Sequence, residues 1–261
     1  MLQTIKIGSF YNQSSYNTMF YVGCIFFILL LCWKKHRELY GISLWKALVM
    51  AVISIGFGYG TTSLMFGFEN KLQNFSGFSW YGAVFFMPVA MVIIFWFIKY
   101  VLKLDTLDYI HNLAAPLALM NGFMKIGCTL YGCCYGPVQT EGHFHIYNAM
   151  FNRYMFPIQP IEAAWNFFVC GYILWYERRP GKLRYTYPTY MIIYSVGRFF
   201  CEFFRQTVKV AGFLTGGMAY ALIAIVVGIV WIIVQKAIDK RDADRISPHY
   251  AGVTGWRQHA N

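Results

Sequence analysis

The chain has 261 residues, of which 58% are hydrophobic, 20% aromatic and only 13% charged, with a formal net charge of +11. Soluble domains carry about 25% charged residues, so this composition excludes an ordinary soluble protein and indicates a polytopic membrane protein. The positive balance reads as a topology signal and an attraction to anionic lipid, and gives no argument for nucleic acid.

A membrane-crossing helix needs about 20 predominantly apolar residues to span about 30 Å of hydrocarbon. Runs of this kind lie at 16–33, 43–66, 81–100, 107–128, 159–176, 185–205 and 216–236, the third and fourth least clearly separated. The expected fold is therefore all-α, with about seven transmembrane helices. No cationic region precedes the first run and no small-residue cleavage site follows it, so the first helix is expected to remain in the mature chain. Lys34, Lys35 and Arg37 follow the first run, Lys99 and Lys103 the third, Arg178, Arg179, Lys182 and Arg184 the fifth, and Lys236, Lys240, Arg241 and Arg245 the last. The intervening loops carry only Lys71, Arg153 and Lys209. The bias places the N-terminus outside and the C-terminus in the cytoplasm. One membrane domain over 1–236 and a frayed polar cytoplasmic tail over 237–261 complete the expected organisation.

On the fourth run Asn121, Lys125 and Cys128 stand four and then three residues apart, which sets an amide, an ammonium and a thiol on one helical face. The connection at 129–158 shows no clear element of its own, and a loop of that length is more often functional than ornamental. It starts with Gly132, Gly136 and Pro137, which break a helix and let backbone fold closely. Glu162 opens the fifth run beside Gln159, where a carboxylate in the first turn is favoured by the helix dipole.

The sixth run carries Arg198, Glu202 and Arg205, again at four-then-three spacing, with Tyr194 one turn earlier. An ionisable side chain at the bilayer centre costs about 2.5–3.5 kcal/mol on insertion scales, so the cluster requires partners, water or an anionic ligand. Two cations share one carboxylate on this face and Lys125 can add a third, so an anion from outside completes the balance. A phosphodiester suits such a site, because charge-assisted hydrogen bonds to phosphate strengthen as the dielectric falls. A purely structural ion pair, with Lys125 reaching out to the interface, is the plainer alternative.

Seven cysteines lie mostly within apolar runs, where packing is their ordinary role and no disulfide framework is implied. Cys128, Cys133 and Cys134, with His143 and His145 downstream, follow a C-x4-C-C spacing that matches neither the C-x-x-C redox motif nor a usual zinc knuckle. No metal and no cofactor are expected from this pattern.

Three of these stretches together resemble one family. MKIGCTLYGCCYG (124–136) is similar to the signature G-R-x-G-N-F-x-N-G-E-x-x-G of the prolipoprotein diacylglyceryl transferases. FPIQPIEAAWNF (156–167) resembles that family's H-P-[ST]-Q-L-Y-E segment, and IYSVGRFFCEFFRQ (193–206) its Y-G-x-x-R-x-x-x-E-F-x-R. GFGYGTTSLMFGFEN (56–70) and GFSWYGAVF (77–85) are similar to its glycine-rich second span and H-G-G segment. Tyr194, Arg198, Glu202, Arg205, Gln159, Glu162, Gly132 and Gly136 match, and Tyr16 falls where the family has a tyrosine on its first span. Lys125 stands in place of an arginine, Cys128 of an asparagine, and Phe156 and Tyr81 of two histidines.

The resemblance implies a multi-pass enzyme of the bacterial cytoplasmic (inner) membrane. It would move the diacylglyceryl group of phosphatidylglycerol to the lipobox cysteine of a lipoprotein precursor and release glycerol phosphate. Arg198 and Lys125 would hold the phosphate, with Arg205 supporting or gating. Gly132 and Gly136 would let backbone approach the headgroup. Tyr81, Glu162 or Glu202 would have to accept the thiol proton. A transferase with another acceptor, a non-catalytic phospholipid-binding or transport protein, and a thiol oxidoreductase using Cys133 and Cys134 are the rival readings.

Overall fold

The computed structural model describes residues 13–69, 71–72, 77–94, 96–139, 144–148, 150–206, 209–211 and 214–245. Nine helices carry the described chain: α1 (Gln13–Cys32), the one-turn α2 (Lys34–Arg37), α3 (Leu44–Glu69), α4 (Trp80–Ile93), α5 (Thr106–Asn112), α6 (Ala114–Tyr131), α7 (Ile158–Tyr176), α8 (Thr186–Glu202) and α9 (Gly216–Arg245). Two antiparallel hairpins join them on one side, β1 (Ile146–Asn148) with β2 (Arg153–Met155) and β3 (Lys209–Ala211) with β4 (Leu214–Thr215). The 129–158 connection thus has an element of its own, pinned by pairing of Tyr147 with Tyr154. His143 lies outside the described residues.

Four helical stretches, Ser14–Cys32, Leu44–Glu69, Thr106–Tyr131 and Gly216–Arg241, are long and apolar enough to cross a membrane, and Tyr81–Ile93 is a shorter apolar helix. The chain is a mostly helical membrane protein. The expected third run does not form one straight helix: α4 ends at Ile93 and a π-helical turn follows over Phe97–Val101. The fourth is divided at Leu113, with Asp105 capping α5 by accepting from the Leu107 and Asp108 amides at 2.8 and 3.3 Å. The last helix runs on to Arg245, past the boundary expected at 236. The extension is held by Asp239, which pairs with Arg184 at 2.8 Å and accepts from the Tyr185 hydroxyl at 2.7 Å.

Burial decides which helix is central. In the Thr106–Tyr131 stretch 67% of the apolar window is covered by protein, against 22% in α1 and in α9. α6 packs between α1 and α7, α7 against α8, α8 against α9, and α3 against α4. Large apolar side chains on the outer helices point outward, among them Ile25 and Leu29 on α1 and Ile223, Val226 and Ile233 on α9. A contiguous apolar exterior of this kind is what hydrocarbon covers. Inside, Tyr81, Tyr109, Tyr187, Tyr190 and Tyr194 are buried together with Met87, Met91 and Leu113. α7 and α8 bring Glu162, Asn166, Arg198 and Glu202 to the interior.

Candidate active site

α6, α7 and α8 converge on one buried ion cluster. Glu162 of α7 sits at its centre, with Lys125 Nζ of α6 2.5 Å from one carboxylate oxygen and Arg198 Nη1 of α8 2.5 Å from the other. Arg198 Nη2 reaches Glu202 at 2.6 Å, and Arg205 Nη1 reaches the same Glu202 oxygen at 3.2 Å. The five side chains are 2–13% exposed. Local spacing accounts for the α8 part, since residues three and four apart share a helical face. The part that joins α7 to α6 and α8 is tertiary.

Two of the plainer alternatives do not hold. Lys125 does not run out to the interface; it turns inward to Glu162. Glu162 lies beyond the first turn of α7, and its partners are two cations and not the helix terminus. The neighbouring helix turns are locked by amides, with Asn121 Nδ2 donating to Asn166 Oδ1 at 2.9 Å and Asn166 Nδ2 to the Glu162 carbonyl at 2.7 Å.

A small, partly enclosed pocket lies beside the cluster, lined by Lys125, Glu162, Trp165, Asn166, Tyr194, Arg198 and Cys201. The Trp165 Nε1 donor and one edge of the cluster, Arg205 Nε, are buried without a hydrogen-bond partner among the described residues, as is Gln159 Oε1. Buried polar groups are normally paired, so these three can take up a water or a polar ligand. Trp165, Asn166 and Cys201 were not singled out from the sequence. The signal was present, because Trp165 and Asn166 stand three and four residues after Glu162 and Cys201 three after Arg198.

The other expected residues fall around this centre. Tyr81 of α4 is buried, packs edge-on against Tyr194 with ring centroids 5.8 Å apart, and faces Ser195 and Arg198. Tyr194 in turn stacks on Tyr190. Gln159 is buried and donates through Nε2 to the Cys133 carbonyl at 2.9 Å. Tyr16 of α1 lies against α6 beside Cys128, Cys133 and Cys134. Phe156, in the place of one family histidine, stacks on Phe204 with centroids 5.3 Å apart.

Gly132 and Gly136 serve the loop's own packing. Gly132 ends α6 at φ 88°, and a Cβ there would stand 2.5 Å from Asn148 Oδ1. A Cβ on Gly136 would stand 2.8 and 2.9 Å from the Phe156 and Phe204 carbonyls. The space beside both glycines is filled by protein. A second small pocket, apolar, lies between α1, α3, α4 and α6, with Phe20, Phe27, Ile55, Met87, Leu117 and Met124 on its walls.

Comparison with known proteins gives a consistent result. The family profile described as prolipoprotein diacylglyceryl transferase matches residues 4–234. The chain is 27% identical over 254 residues to a phosphatidylglycerol–prolipoprotein diacylglyceryl transferase 2 of Clostridium perfringens, covering 91% of this chain and 98% of that one. A phosphatidylglycerol–prolipoprotein diacylglyceryl transferase of Clostridium tetani is 32% identical over 130 residues, covering 48% of this chain and 52% of that one. One of Clostridium novyi is 28% identical over 145 residues, with 53% and 56% covered.

Proposed function

Because the chain belongs to the prolipoprotein diacylglyceryl transferase family, we propose that Arg198 and Lys125 bind the phosphate of phosphatidylglycerol while its diacylglyceryl group passes to the lipobox cysteine of a lipoprotein precursor. The protein is a transferase of lipoprotein biosynthesis. The observation that carries the site assignment is the charge count of the ion-paired cluster among the described residues: three cations, Lys125, Arg198 and Arg205, pair with two carboxylates, Glu162 and Glu202. A bound phosphodiester supplies the missing negative charge.

In this reading the carboxylates position the cations. Glu162 holds Lys125 and Arg198 beside the cavity, and Glu202 orients the guanidiniums of Arg198 and Arg205. Tyr194 and Trp165 line the same space as hydrogen-bond donors. Met124 lines the apolar pocket and its neighbour Lys125 the ionic one. Gln159, Gly132 and Gly136 hold the GCCYG turn that closes the site. Lysine in place of arginine keeps the charge at 125 and gives up bidentate geometry. The full arrangement is seven spans in the bacterial cytoplasmic membrane, with the N-terminus outside and the cavity in the outer half.

Purified protein incubated with headgroup-labelled phosphatidylglycerol and a lipobox peptide tests the reading. Release of labelled glycerol phosphate with thioether formation on the peptide is the expected outcome, and Arg198→Ala is expected to abolish both while the protein stays folded in detergent. Lipid retained intact by the wild type marks a binding protein and overturns the enzymatic reading. Full activity of Arg198→Ala overturns the site assignment.

A further inference from the structure

Cys128, Cys133 and Cys134 are free thiols whose sulfur atoms all lie within 4.8 Å of one another. Two left-handed residues bring them together. Gly132, at φ 88°, ends α6 and turns the chain back toward its last helical turn, where Cys128 sits; Cys134 itself adopts φ 56°. A residue with a Cβ persists in that conformation only where its surroundings over-determine it, and such residues gather at ligand clamps.

Here the surroundings are explicit. The Gly132 amide donates to the Cys128 carbonyl at 2.9 Å, Asn148 Nδ2 to the Gly132 carbonyl at 2.8 Å, and Gln159 Nε2 to the Cys133 carbonyl at 2.9 Å. Three backbone groups of the turn are therefore fixed by α6, the β1–β2 hairpin and α7. The three thiols are presented by a rigid frame.

We propose that Cys128, Cys133 and Cys134 form a three-thiolate site for a zinc-class divalent cation, whose open fourth position takes the acceptor cysteine as a thiolate. Thiolates select soft cations, zinc among them. With metal–sulfur bonds of about 2.3 Å, ligands at tetrahedral corners stand about 3.8 Å apart, which fits inside the 4.8 Å limit of this cluster. Three protein ligands and one vacant position is the composition of catalytic zinc sites, and among the described residues no fourth histidine, cysteine or carboxylate joins the group. A divalent ion with three thiolates carries one net negative charge, and the Lys125 ammonium lies within the field of Cys128 and Cys134.

The inference deepens the transferase reading and rests on it for the role of the fourth position. That reading leaves the acceptor without a histidine base, because Tyr81 stands in its place. Coordination removes the need for one, since a coordinated thiol is deprotonated outright. The acceptor loses its proton to solvent and binds as a thiolate. Its sulfur lone pair then forms the bond to the glyceryl carbon, the carbon–oxygen bond to phosphate breaks, and that electron pair leaves on the phosphate oxygen of glycerol phosphate. The departing phosphate takes a proton from solvent, the thioether leaves the metal, and the metal's oxidation state does not change.

The test uses full-length protein in detergent, reduced and stripped of metal, titrated with Co²⁺ as the spectroscopic probe and with Zn²⁺ in competition. One equivalent is expected to bind with intense thiolate-to-cobalt charge-transfer absorption, displaced by Zn²⁺. Cys134→Ser is expected to weaken binding by at least about a hundredfold, beyond the loss caused by removing a supporting group around a ligand. Cys170→Ser, which alters a buried cysteine outside the cluster, keeps the full signal. A lipobox peptide added to the cobalt-loaded protein strengthens the charge-transfer band, and the same peptide with serine for cysteine does not.

Absence of stoichiometric binding by the reduced wild type overturns the site, as does binding that survives in a Cys128→Ser, Cys133→Ser, Cys134→Ser variant. Indifference of the cobalt spectrum to the cysteine peptide overturns the role of the fourth position. Peptide lipidation by metal-free protein removes this proposal and leaves the transferase reading intact. Metal binding by a protein that releases no headgroup does the reverse.

Discussion

Glu162→Gln is the substitution that tests the ion cluster most directly. The carboxylate has a cation 2.5 Å from each oxygen, and its side chain is 3% exposed. At that distance and an effective dielectric constant of about 20, each contact is worth about 6–7 kcal/mol of gross Coulomb attraction, most of it offset by the desolvation of the three ions. Removing one partner of a buried pair leaves an uncompensated charge and costs about 3–5 kcal/mol. Gln keeps the shape and loses only the charge, so a loss of about that size is expected in equilibrium unfolding in mixed micelles followed by circular dichroism. Adding Lys125→Met removes the stranded ammonium and is expected to return at least about 1 kcal/mol relative to the sum of the single changes, as coupled neighbours do. A Glu162→Gln loss below about 1 kcal/mol, typical of an exposed salt bridge, would refute the buried network.

Arg198→Lys keeps the charge but not the two-pronged contact to Glu162 and Glu202; headgroup release is expected to fall at least about tenfold, which corresponds to about 1.4 kcal/mol of transition-state stabilisation. Gly132→Ala places a Cβ 2.5 Å from Asn148 Oδ1 at a left-handed residue; a loss of about 1–2 kcal/mol in unfolding is expected, together with faster alkylation of Cys133 and Cys134 as the turn loosens. Tyr81→His puts an imidazole beside Arg198 and Ser195. It is expected to add an activity that rises with pH as the imidazole loses its proton, because only the neutral ring accepts one, and a pH–rate profile unchanged from the wild type would show that position 81 does not face the acceptor. Glu177→Gln removes the carboxylate that pairs with buried His36 at 2.8 Å and accepts from Tyr40 at 3.3 Å; it is expected to lower the unfolding midpoint without altering headgroup release.

What the sequence disclosed followed from regularity along single helices. The four-and-three spacing of Arg198, Glu202 and Arg205 on α8, and of Asn121, Lys125 and Cys128 on α6, placed each set on one face, and both faces turn inward. The charge count was also legible, because the cost of an unpaired ion in an apolar environment does not depend on knowing its partner. The partner itself was not legible. Glu162 reads equally as a helix-dipole carboxylate or as part of the site, because nothing in FPIQPIEAAWNF says that two other helices bring cations to it. The three-cysteine cluster was hidden for a related reason: its geometry comes from left-handed backbone at Gly132 and Cys134, whereas the linear spacing C-x4-C-C matches no familiar ligand pattern. The run at 107–128 falls within the membrane-length stretch Thr106–Tyr131, whereas the run at 81–100 holds only the shorter apolar helix Tyr81–Ile93; the breaks after Ile93 and at Leu113 depend on packing between helices and not on hydropathy.

The surplus cation has a consequence for rate as well as for binding. A phosphodiester carries one negative charge, and the departing glycerol phosphate gains a second as the carbon–oxygen bond breaks. A cluster of three cations and two carboxylates matches the ground state in total charge, yet Arg198 and Lys125 each face a carboxylate that is already committed. In the proposed site their attraction for the substrate is therefore moderate, and it would grow as charge develops on the leaving oxygen. Interactions that strengthen between ground and transition state are the ones that raise turnover. On this argument Glu162 has two effects of opposite sign on the donor lipid: it fixes the cations in place, and it keeps them from holding phosphatidylglycerol too tightly. Glu162→Gln should accordingly bind the lipid more tightly while turning it over more slowly, so that KM and kcat for phosphatidylglycerol fall together. A rise in KM with kcat preserved would mean that Glu162 contributes only to assembly of the binding site.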